Sequence, residues 1–390
     1  MRFASRMINI KPSATLTINA KVLEMKARGL AVTSLAVGEP NFPTPLHARE
    51  AAQQAIRDGF TRYTAVPGIP ELREAVAGYF NRTYGINATA DCTIVGNGGK
   101  QALYDLFVAL LDSGDEVLVP SPYWVSYPDM IYLNGGIPVK VAAPASQNFK
   151  ITVAQLEAHL TPKTRILLFN SPSNPTGACY TRAETDAIVR WALEHDLFII
   201  SDEIYDQLVY EPAQAAGLAS WWEQYPEQIA ITNGLAKSFA MTGWRVGYTL
   251  AHPSLIKVLS QITGQTTGNI CSIAQKAAVA ALNGPYDCIT EMRNAFKLRR
   301  DMAWKEIASW PGVVCPKPEG AFYLFADISA LYTPDMPDAT SVCTMLLDKA
   351  GVALVPGDPF GDPACVRFSY AVADDVLMDA LTRVRKALLG

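Results

Sequence analysis

The chain has 390 residues, 49% of them hydrophobic and 18% charged, with 26 glycines and 26 prolines spread along it. Two hydrophobic cores with a cleft between them are expected, since one core rarely exceeds about 250–300 residues, and this composition excludes intrinsic disorder and collagen-like architecture. The 33 Lys and Arg against 37 Asp and Glu leave a formal charge of −4, which excludes a general basic field for nucleic acid or an anionic membrane. Any anionic ligand must therefore be held by local charges.

Periodicity predicts a helix followed by a sheet. The helix begins at Pro70, carries an apolar stripe from Leu72 to Phe80 and ends at Gly85. Seven apolar runs follow: TIVGN (93–97), EVLVP (116–120), PVKVA (138–142), RILLFN (165–170), LFIISDE (197–203), IAITNG (229–234) and RVGYTLA (245–251). Most are far enough apart for an intervening helix, so they predict a largely parallel sheet buried on both faces. Residues 235–244 are too few for a crossover helix, so the last strand is expected to run antiparallel.

A second unit is predicted beyond this sheet. An amphipathic helix over 291–310 leads to strand candidates GAFYLFADI (320–328), GVALVP (351–356) and CVRFSYA (365–371), and a closing helix over 373–389. The first 45 residues have too little apolar periodicity to fold alone. We therefore predict an α/β chain with a large domain of residues 46–285 and a small domain built from residues 1–45 and 286–390.

Several features concern location and metals. No apolar stretch approaches the roughly 18 residues of a membrane span, and the first residues lack the apolar centre of a signal peptide, so a cytoplasmic location is expected. The seven cysteines contain no C-x-x-C pair, and the four histidines show no metal-ligand spacing. Neither a disulfide framework nor a metal site is predicted.

Polar residues follow three of the predicted strands, where open α/β sheets bind ligands. Asp202 and Glu203 follow an apolar run, and a buried carboxylate is costly unless it is paired. Asn174 lies in a turn-rich loop, and the GNGGK loop between a strand and a helix could direct backbone N–H groups at an anion. This is not a Walker A loop, because Gln101 stands where Ser or Thr would bind Mg²⁺. Asp202 and Glu203 could also be ordinary acids at the end of a strand, and Asn174 could belong to an ordinary turn.

Lys237 follows a fourth strand and is surrounded in sequence by apolar residues, with Arg245 eight residues later. A lone lysine is usually a solvated surface charge. Desolvation here would lower its pKa from about 10.4 towards the range of a nucleophile. A desolvated lysine, an acid, a phosphate-type loop and an arginine together suggest a carbonyl cofactor that also carries phosphate.

Four motifs then identify a family. N-P-T-G (174–177), S-D-E-I-Y (201–205), A-K-S-F-A-M-T-G-W-R-V-G-Y (236–248) and V-R-F-S-Y-A (366–371) resemble fold-type I pyridoxal-phosphate enzymes, and among them the class-I aminotransferases. GGKQAL and SPYWVSYP are most similar to the bacterial 1β-type aspartate aminotransferases. The resemblance covers essentially the whole chain. It implies a mixed, mostly parallel seven-stranded sheet between helices, plus a smaller α+β domain.

The resemblance implies a pyridoxal 5′-phosphate cofactor attached through its aldehyde to Lys237. The same lysine would then move a proton between the substrate's Cα and the cofactor's C4′. Asp202 would face the pyridine nitrogen and keep it protonated, so that the ring can accept electrons. Tyr205 and Asn174 would hydrogen-bond the ring's O3′, and Trp124 would stack on the ring face.

The phosphate contacts implied by the resemblance are the backbone of Gly99 and Lys100, the Arg245 side chain, and Tyr63 of the partner subunit. A homodimer with shared active sites follows from that last contact. Many relatives carry Ser three residues before the lysine, where this chain has Gly234. Backbone groups or Lys100 are expected to replace the missing hydroxyl.

Arg367 resembles the family's clamp for the substrate's α-carboxylate, since a planar guanidinium can bind a carboxylate through two parallel hydrogen bonds. Gly38 would approach the substrate through its backbone, and Trp124 and Asn174 would also contact it. The expected reaction is ping-pong transfer of the amino group of aspartate or glutamate to a 2-oxo acid such as 2-oxoglutarate.

The side-chain pocket implied by the 1β resemblance holds the distal carboxylate with a lysine and small hydroxyl residues. This chain has Lys100, Ser13 and Thr15 at those places. Lys11 matches a position linked in this subgroup to the use of prephenate, which is a further candidate acceptor.

Other functions are possible on this scaffold. Aromatic or alanine transamination, β-lyase and decarboxylase chemistry share the cofactor contacts, so these contacts cannot separate them. Transcription regulators with this domain carry a basic winged-helix segment before it, whereas here the aminotransferase-like sequence begins within the first residues. A catalytically silent binding protein is disfavoured because Lys237, Asp202, Tyr205 and Arg367 are all present.

Overall fold

The computed structural model describes Ala4, Met7, Ile10, residues 12–214 and residues 216–390. The strands of this described part are β1 (Thr33–Ser34), β2 (Thr93–Asn97), β3 (Glu116–Ser121), β4 (Ile137–Ala142), β5 (Thr164–Asn170), β6 (Phe198–Asp202), β7 (Ile229–Gly234), β8 (Val246–Leu250), β9 (Tyr323–Asp327), β10 (Val352–Ala353), β11 (Val355–Pro356) and β12 (Cys365–Ser369). The seven predicted runs correspond to β2–β8, each within one residue at either end.

The helices of the described part are α1 (Ala14–Ala27), α2 (Leu46–Arg57), α3 (Pro70–Tyr84), α4 (Gly99–Leu110), α5 (Tyr127–Leu133), α6 (Val153–Glu157), α7 (Arg182–Glu194), α8 (Ala219–Gln224), α9 (Pro253–Thr266), α10 (Ser272–Asn283), α11 (Asp287–Ile307), α12 (Ala339–Met345) and α13 (Asp374–Leu389). α3 begins with a proline and ends at Gly85 in the left-handed conformation, as its sequence predicts. None of these helices combines the length and hydropathy that a membrane crossing needs.

Strands β2–β8 form one sheet in the order β2-β8-β7-β6-β5-β3-β4. β8 runs antiparallel to both of its neighbours, and the other pairs are parallel, which confirms the predicted mixed sheet. Alternate residues of the central strands enter different apolar clusters, for example Leu167 in one and Ile166 in the other. The sheet is therefore buried on both faces, and the carboxyl ends of β5, β6 and β7 meet at one edge.

Segments from both ends of the chain meet in two smaller sheets. β9, β11 and β12 form an antiparallel sheet, and β1 pairs in parallel with β10. The amide of Ser369 also donates to the carbonyl of Leu35 at 2.8 Å. These contacts place the segment after β1 beside β12; the boundaries of the two domains stay a prediction.

Candidate active site

A cavity of about 360 Å³ lies at the carboxyl ends of β5, β6 and β7. Most residues predicted for the site line it: Ser13, Thr15, Gly38, Gly99, Lys100, Trp124, Asn174, Asp202, Tyr205, Lys237, Arg245 and Arg367. Tyr63 does not line it and is 99% exposed on the loop before α3. Lys11 lies outside the described residues. The fold thus brings together residues up to 354 positions apart, from Ser13 to Arg367.

Lys237 follows β7 directly, in a short loop that leads to β8. Its Nζ donates to the carbonyl oxygen of Gly38 at 2.5 Å. Burial lowers the pKa of this lysine to about 8, and the positive charges of Arg367 and Arg245 act in the same direction. Near neutral pH its amine can therefore lose a proton far more readily than an exposed lysine does.

Asp202 is the last residue of β6 and is buried. Its Oδ2 accepts a hydrogen bond of 2.6 Å from the hydroxyl of Tyr127, and its Oδ1 accepts one of 3.2 Å from the amide of Ile204. Burial raises the pKa of this carboxyl, and the Tyr127 hydrogen bond opposes that rise. Sequence reasoning missed Tyr127, although it stands in the same SPYWVSYP segment as Trp124.

Arg367 lies in β12 and is 2% exposed. Its guanidinium sits over the ring of Tyr323 at 4.4 Å and over the ring of Phe360 at 4.8 Å. One terminal nitrogen donates to Asn174 Oδ1 at 3.0 Å and the other to the carbonyl of Ala36 at 2.7 Å. Its Nε has no hydrogen-bond partner among the described residues. A buried donor of this kind is costly unless a ligand accepts from it.

The Gly98 loop and the Arg245 loop meet at the start of α4. Arg245 adopts a left-handed backbone (φ 57°), and its guanidinium donates to the carbonyls of Thr242 at 3.1 Å and Asn97 at 3.3 Å. Gly98 has a φ of 82°, a conformation that favours glycine, and a Cβ there would lie 2.8 Å from the Arg245 Cζ and displace that side chain. The amides of Gly99 and Lys100, the first two of α4, have no acceptor within the helix, whereas the amide of Gln101 already donates to the carbonyl of Gly98 at 3.1 Å. Arg245 adds positive charge beside these two amides.

Gly234 departs from the serine of many relatives, and the structure gives a packing reason. A Cβ at this position would lie 2.8 Å from the carbonyl oxygen of Val246 and 3.0 Å from the Cα of Gly247. β8 therefore packs too closely on the end of β7 for a larger residue without a shift. Glycine has no hydroxyl, so we expect backbone groups or Lys100 to make the phosphate contact that the serine makes in many relatives.

Lys100 lies in the first turn of α4, with its Nζ 5.0 Å from the centre of the Trp124 ring. Burial lowers its pKa, and the nearby Arg245 lowers it further. Ser13 precedes α1 and makes no side-chain capping bond to it, and Thr15 lies in the first turn of that helix. The wall of the cavity therefore carries the amine of Lys100 and the hydroxyl-bearing residues Ser13 and Thr15.

No group of three His, Cys, Asp or Glu side chains within the described ranges is arranged to hold a metal ion. The charged groups that line the cavity are Lys100, Asp202, Lys237, Arg245 and Arg367. Four of these five are cationic, so the cavity is suited to a ligand with several negative charges, although the chain as a whole is slightly acidic.

Comparisons with known proteins give the family. A family model described as aminotransferase class I and II matches residues 31–384. The aspartate/prephenate aminotransferase of Cereibacter sphaeroides is 44% identical over 391 aligned positions, covering 98% of each chain. The asparagine–oxo-acid transaminase of Streptococcus mutans is 42% identical over 386 positions, again covering 98% of each chain.

Among solved structures, the aspartate aminotransferase of Thermus thermophilus with maleate has a TM-score of 0.94 to this chain at 42% identity, covering 100% of both. This likeness over the full length confirms the predicted fold-type I α/β class. The chain belongs to the class I and II aminotransferase family.

Proposed function

We propose that this protein transfers the amino group of aspartate or glutamate to 2-oxoglutarate or a similar 2-oxo acid in a ping-pong cycle, with pyridoxal 5′-phosphate held in the cavity. The observation that carries the proposal is the pairing of Lys237, with a pKa of about 8, and the buried Arg367 in one cavity. The similarity to aspartate aminotransferases over nearly the whole chain supports the choice of substrate.

The residues present fit the cofactor. Its phosphate would be held by the first-turn amides of Gly99 and Lys100 and by Arg245, where a helix N-terminus and a guanidinium favour an anion. Its ring would lie between Trp124 and the strand ends, with Asp202 facing the pyridine nitrogen. The bound cofactor supplies an electron-accepting ring that stabilises negative charge at the amino acid's Cα.

Four residues would act on that ring or on the proton released from Cα. Asp202, held by the Tyr127 hydroxyl at 2.6 Å, keeps a proton on the pyridine nitrogen. Tyr205 and Asn174 hydrogen-bond the ring's O3′ side. Lys237 takes up the proton released from Cα, a role that its lowered pKa suits because a base works best with a pKa near the working pH.

Arg367 would orient the substrate. Its Nε is the donor left without a partner, and a carboxylate placed there would accept from Nε and from a terminal nitrogen together. The hydrogen bonds to Asn174 and Ala36 fix the guanidinium before the substrate arrives. The Cα–H bond is then oriented towards Lys237, and little rotational freedom is lost on binding.

Lys100, Ser13 and Thr15 would receive the distal carboxylate, with Lys11 as the predicted contact for prephenate. A second candidate donor is asparagine, because a relative as similar as the others is an asparagine–oxo-acid transaminase. Asparagine has no distal negative charge, so the Lys100 amine on the cavity wall should favour aspartate over it.

The test is a panel of kcat/KM values. Aspartate, glutamate, asparagine, phenylalanine and alanine are offered as donors, with 2-oxoglutarate and then prephenate as acceptors. The proposal expects the two acidic donors to lead by at least about tenfold, a difference of about 1.4 kcal/mol. Leading rates with asparagine or phenylalanine would reassign the substrate, and elimination without amino transfer would reassign the reaction.

We also infer a cytoplasmic homodimer in which the site is shared. Tyr63 is 99% exposed and does not line the cavity of its own chain, so a phosphate contact from it would have to be made in the cavity of a partner subunit. Light scattering at micromolar concentration should give twice the chain mass. A monomer with full activity would remove Tyr63 from the site. Within each subunit we assign residues 46–285 to the cofactor domain, and residues 1–45 with 286–390 to the small domain that carries Arg367.

A further inference from the structure

Tyr323 is a buried side chain that contacts two groups of the proposed site at once. It begins β9, is 1% exposed and lines the cavity. Its hydroxyl lies 2.9 Å from the hydroxyl of Tyr205, and the Arg367 guanidinium lies over its ring at 4.4 Å. Sequence reasoning did not single it out, since it stands in an apolar strand run.

The ring of Tyr323 restrains the plane of the Arg367 guanidinium. β9 and β12 are antiparallel neighbours, with Tyr323 opposite Ser369 and Phe325 opposite Arg367. The guanidinium is held from one side by Tyr323 and also lies over the Phe360 ring at 4.8 Å. A guanidinium over an aromatic face is a favourable contact for arginine, and the unpartnered Nε stays available to a carboxylate.

The hydroxyl of Tyr323 restrains the Tyr205 hydroxyl. Among the described residues, no other side chain is hydrogen-bonded to the Tyr205 hydroxyl. If Tyr205 donates to the ring's O3′, its oxygen is free to accept from Tyr323, and chains of hydrogen bonds strengthen each other in a buried site. Gly38 makes room for this arrangement, because a Cβ there would collide with the Tyr323 hydroxyl.

We propose that Tyr323 is a positioning residue with two separable parts: its ring orients Arg367 for the substrate carboxylate, and its hydroxyl orients Tyr205 towards the cofactor. The inference rests on the proposed function, because that function gives Arg367 and Tyr205 their roles. It further predicts that cofactor electronics and carboxylate binding are coupled through one side chain, yet can be separated by substitution.

Two variants separate the parts. Tyr323→Phe keeps the ring and removes the hydroxyl, whereas Tyr323→Leu removes both. Tyr370→Phe is the matched control, since Tyr370 is also fully buried and its hydroxyl contacts Tyr210 and Ala321, away from the cavity. The holoenzymes are compared by the apparent pKa of the cofactor's visible absorbance band and by the dissociation constant of maleate, a dicarboxylate probe.

For Tyr323→Phe the apparent pKa of the band should rise by roughly half a unit or more. The reason is that Tyr205 loses a hydrogen-bond donor and then stabilises negative charge on the ring less well. Maleate affinity should stay within about twofold of wild type. For Tyr323→Leu maleate should bind at least about tenfold more weakly as well. The Tyr370→Phe control should change neither quantity.

An unchanged band pKa in Tyr323→Phe, or equal loss of maleate affinity in both variants, would overturn the inference. If Tyr323→Leu does not fold, Tyr323→Phe alone decides: a shifted band with retained maleate affinity supports the inference, and any other result opposes it. Failure of the proposed function looks different: without the cofactor the unmodified protein would show no visible band at all, and a different substrate would show in the donor panel of the unmodified protein.

Discussion

The substitution Glu203→Gln should remove a pH-dependent penalty from the free energy of unfolding. Glu203 follows Asp202 and is 1% exposed. Its Oε1 accepts from the Leu218 amide at 2.8 Å and from the Ser201 hydroxyl at 2.9 Å, whereas its Oε2 has no partner among the described residues. Burial, reinforced by the negative charges of Asp206 and Asp202, raises its pKa from 4.5 to about 7.

The direction and size of this pH dependence follow from the coupling between proton binding and folding. The folded state holds the proton more tightly than the unfolded state, so the full stability is present below pH 4.5 and is lost as the pH rises through about 7. Each unit of difference in pKa corresponds to about 1.4 kcal/mol, so the rise of about 2.5 lowers the free energy of unfolding by about 3 kcal/mol at high pH. Roughly 2–3 kcal/mol of this loss develops between pH 5 and pH 8. Glutamine cannot ionise and keeps the accepting oxygen.

The assay is denaturant unfolding of wild type, Glu203→Gln and the exposed-site control Glu227→Gln at pH 5 and pH 8, all saturated with pyridoxal phosphate. The Glu203→Gln variant should gain roughly 2–3 kcal/mol on wild type at pH 8 relative to pH 5, and the control should gain nothing. Equal pH dependence in wild type and Glu203→Gln would contradict the raised pKa, because Glu203 would then ionise in the folded protein as it does in water.

Three further predictions concern the cavity. Asp202→Ala should weaken cofactor binding by about 10²–10⁴-fold, since breaking a buried pair costs roughly 3–5 kcal/mol, and cofactor retention on dialysis equal to wild type would exclude its role. Arg367→Lys keeps the charge but loses the paired hydrogen bonds, so kcat/KM for aspartate should fall about 10–100-fold; an unchanged value would place the α-carboxylate elsewhere. Lys100→Ala should lower kcat/KM for aspartate relative to alanine by at least about tenfold, and an unchanged ratio would show that Lys100 does not meet the distal carboxylate.

The strands of the large sheet could be predicted closely because each is a short apolar run with turn residues at its ends. The antiparallel β8 followed from the ten residues between the last two runs, which cannot form a crossover helix. The pattern of Thr181 followed by Glu184 is that of a capping box, and it marks the start of α7 in the structure. These features depend on local sequence, which a single chain displays directly.

The supporting contacts of the site could not be predicted, because they join residues far apart in sequence. Tyr127 reaches Asp202 across 75 positions, and Tyr323 reaches Tyr205 across 118. Tyr323 stands among apolar residues and looks like an ordinary core position, and Tyr127, between Ser126 and Pro128, has no sequence neighbour that points to Asp202. The packing that requires glycine at position 234 is visible only once β8 lies against β7.

In the proposed function, Lys237 both holds the cofactor and moves the substrate's proton. The direct measurement is the visible absorbance spectrum of the purified holoenzyme during separate additions of aspartate, glutamate and alanine. It is recorded for wild type, Lys237→Ala and the exposed-lysine control Lys257→Ala. Wild type and Lys257→Ala should convert to the amino form of the cofactor with aspartate or glutamate but not with alanine, and Lys237→Ala should not convert. A visible band that is absent from wild type, or that converts equally in Lys237→Ala, would contradict the account.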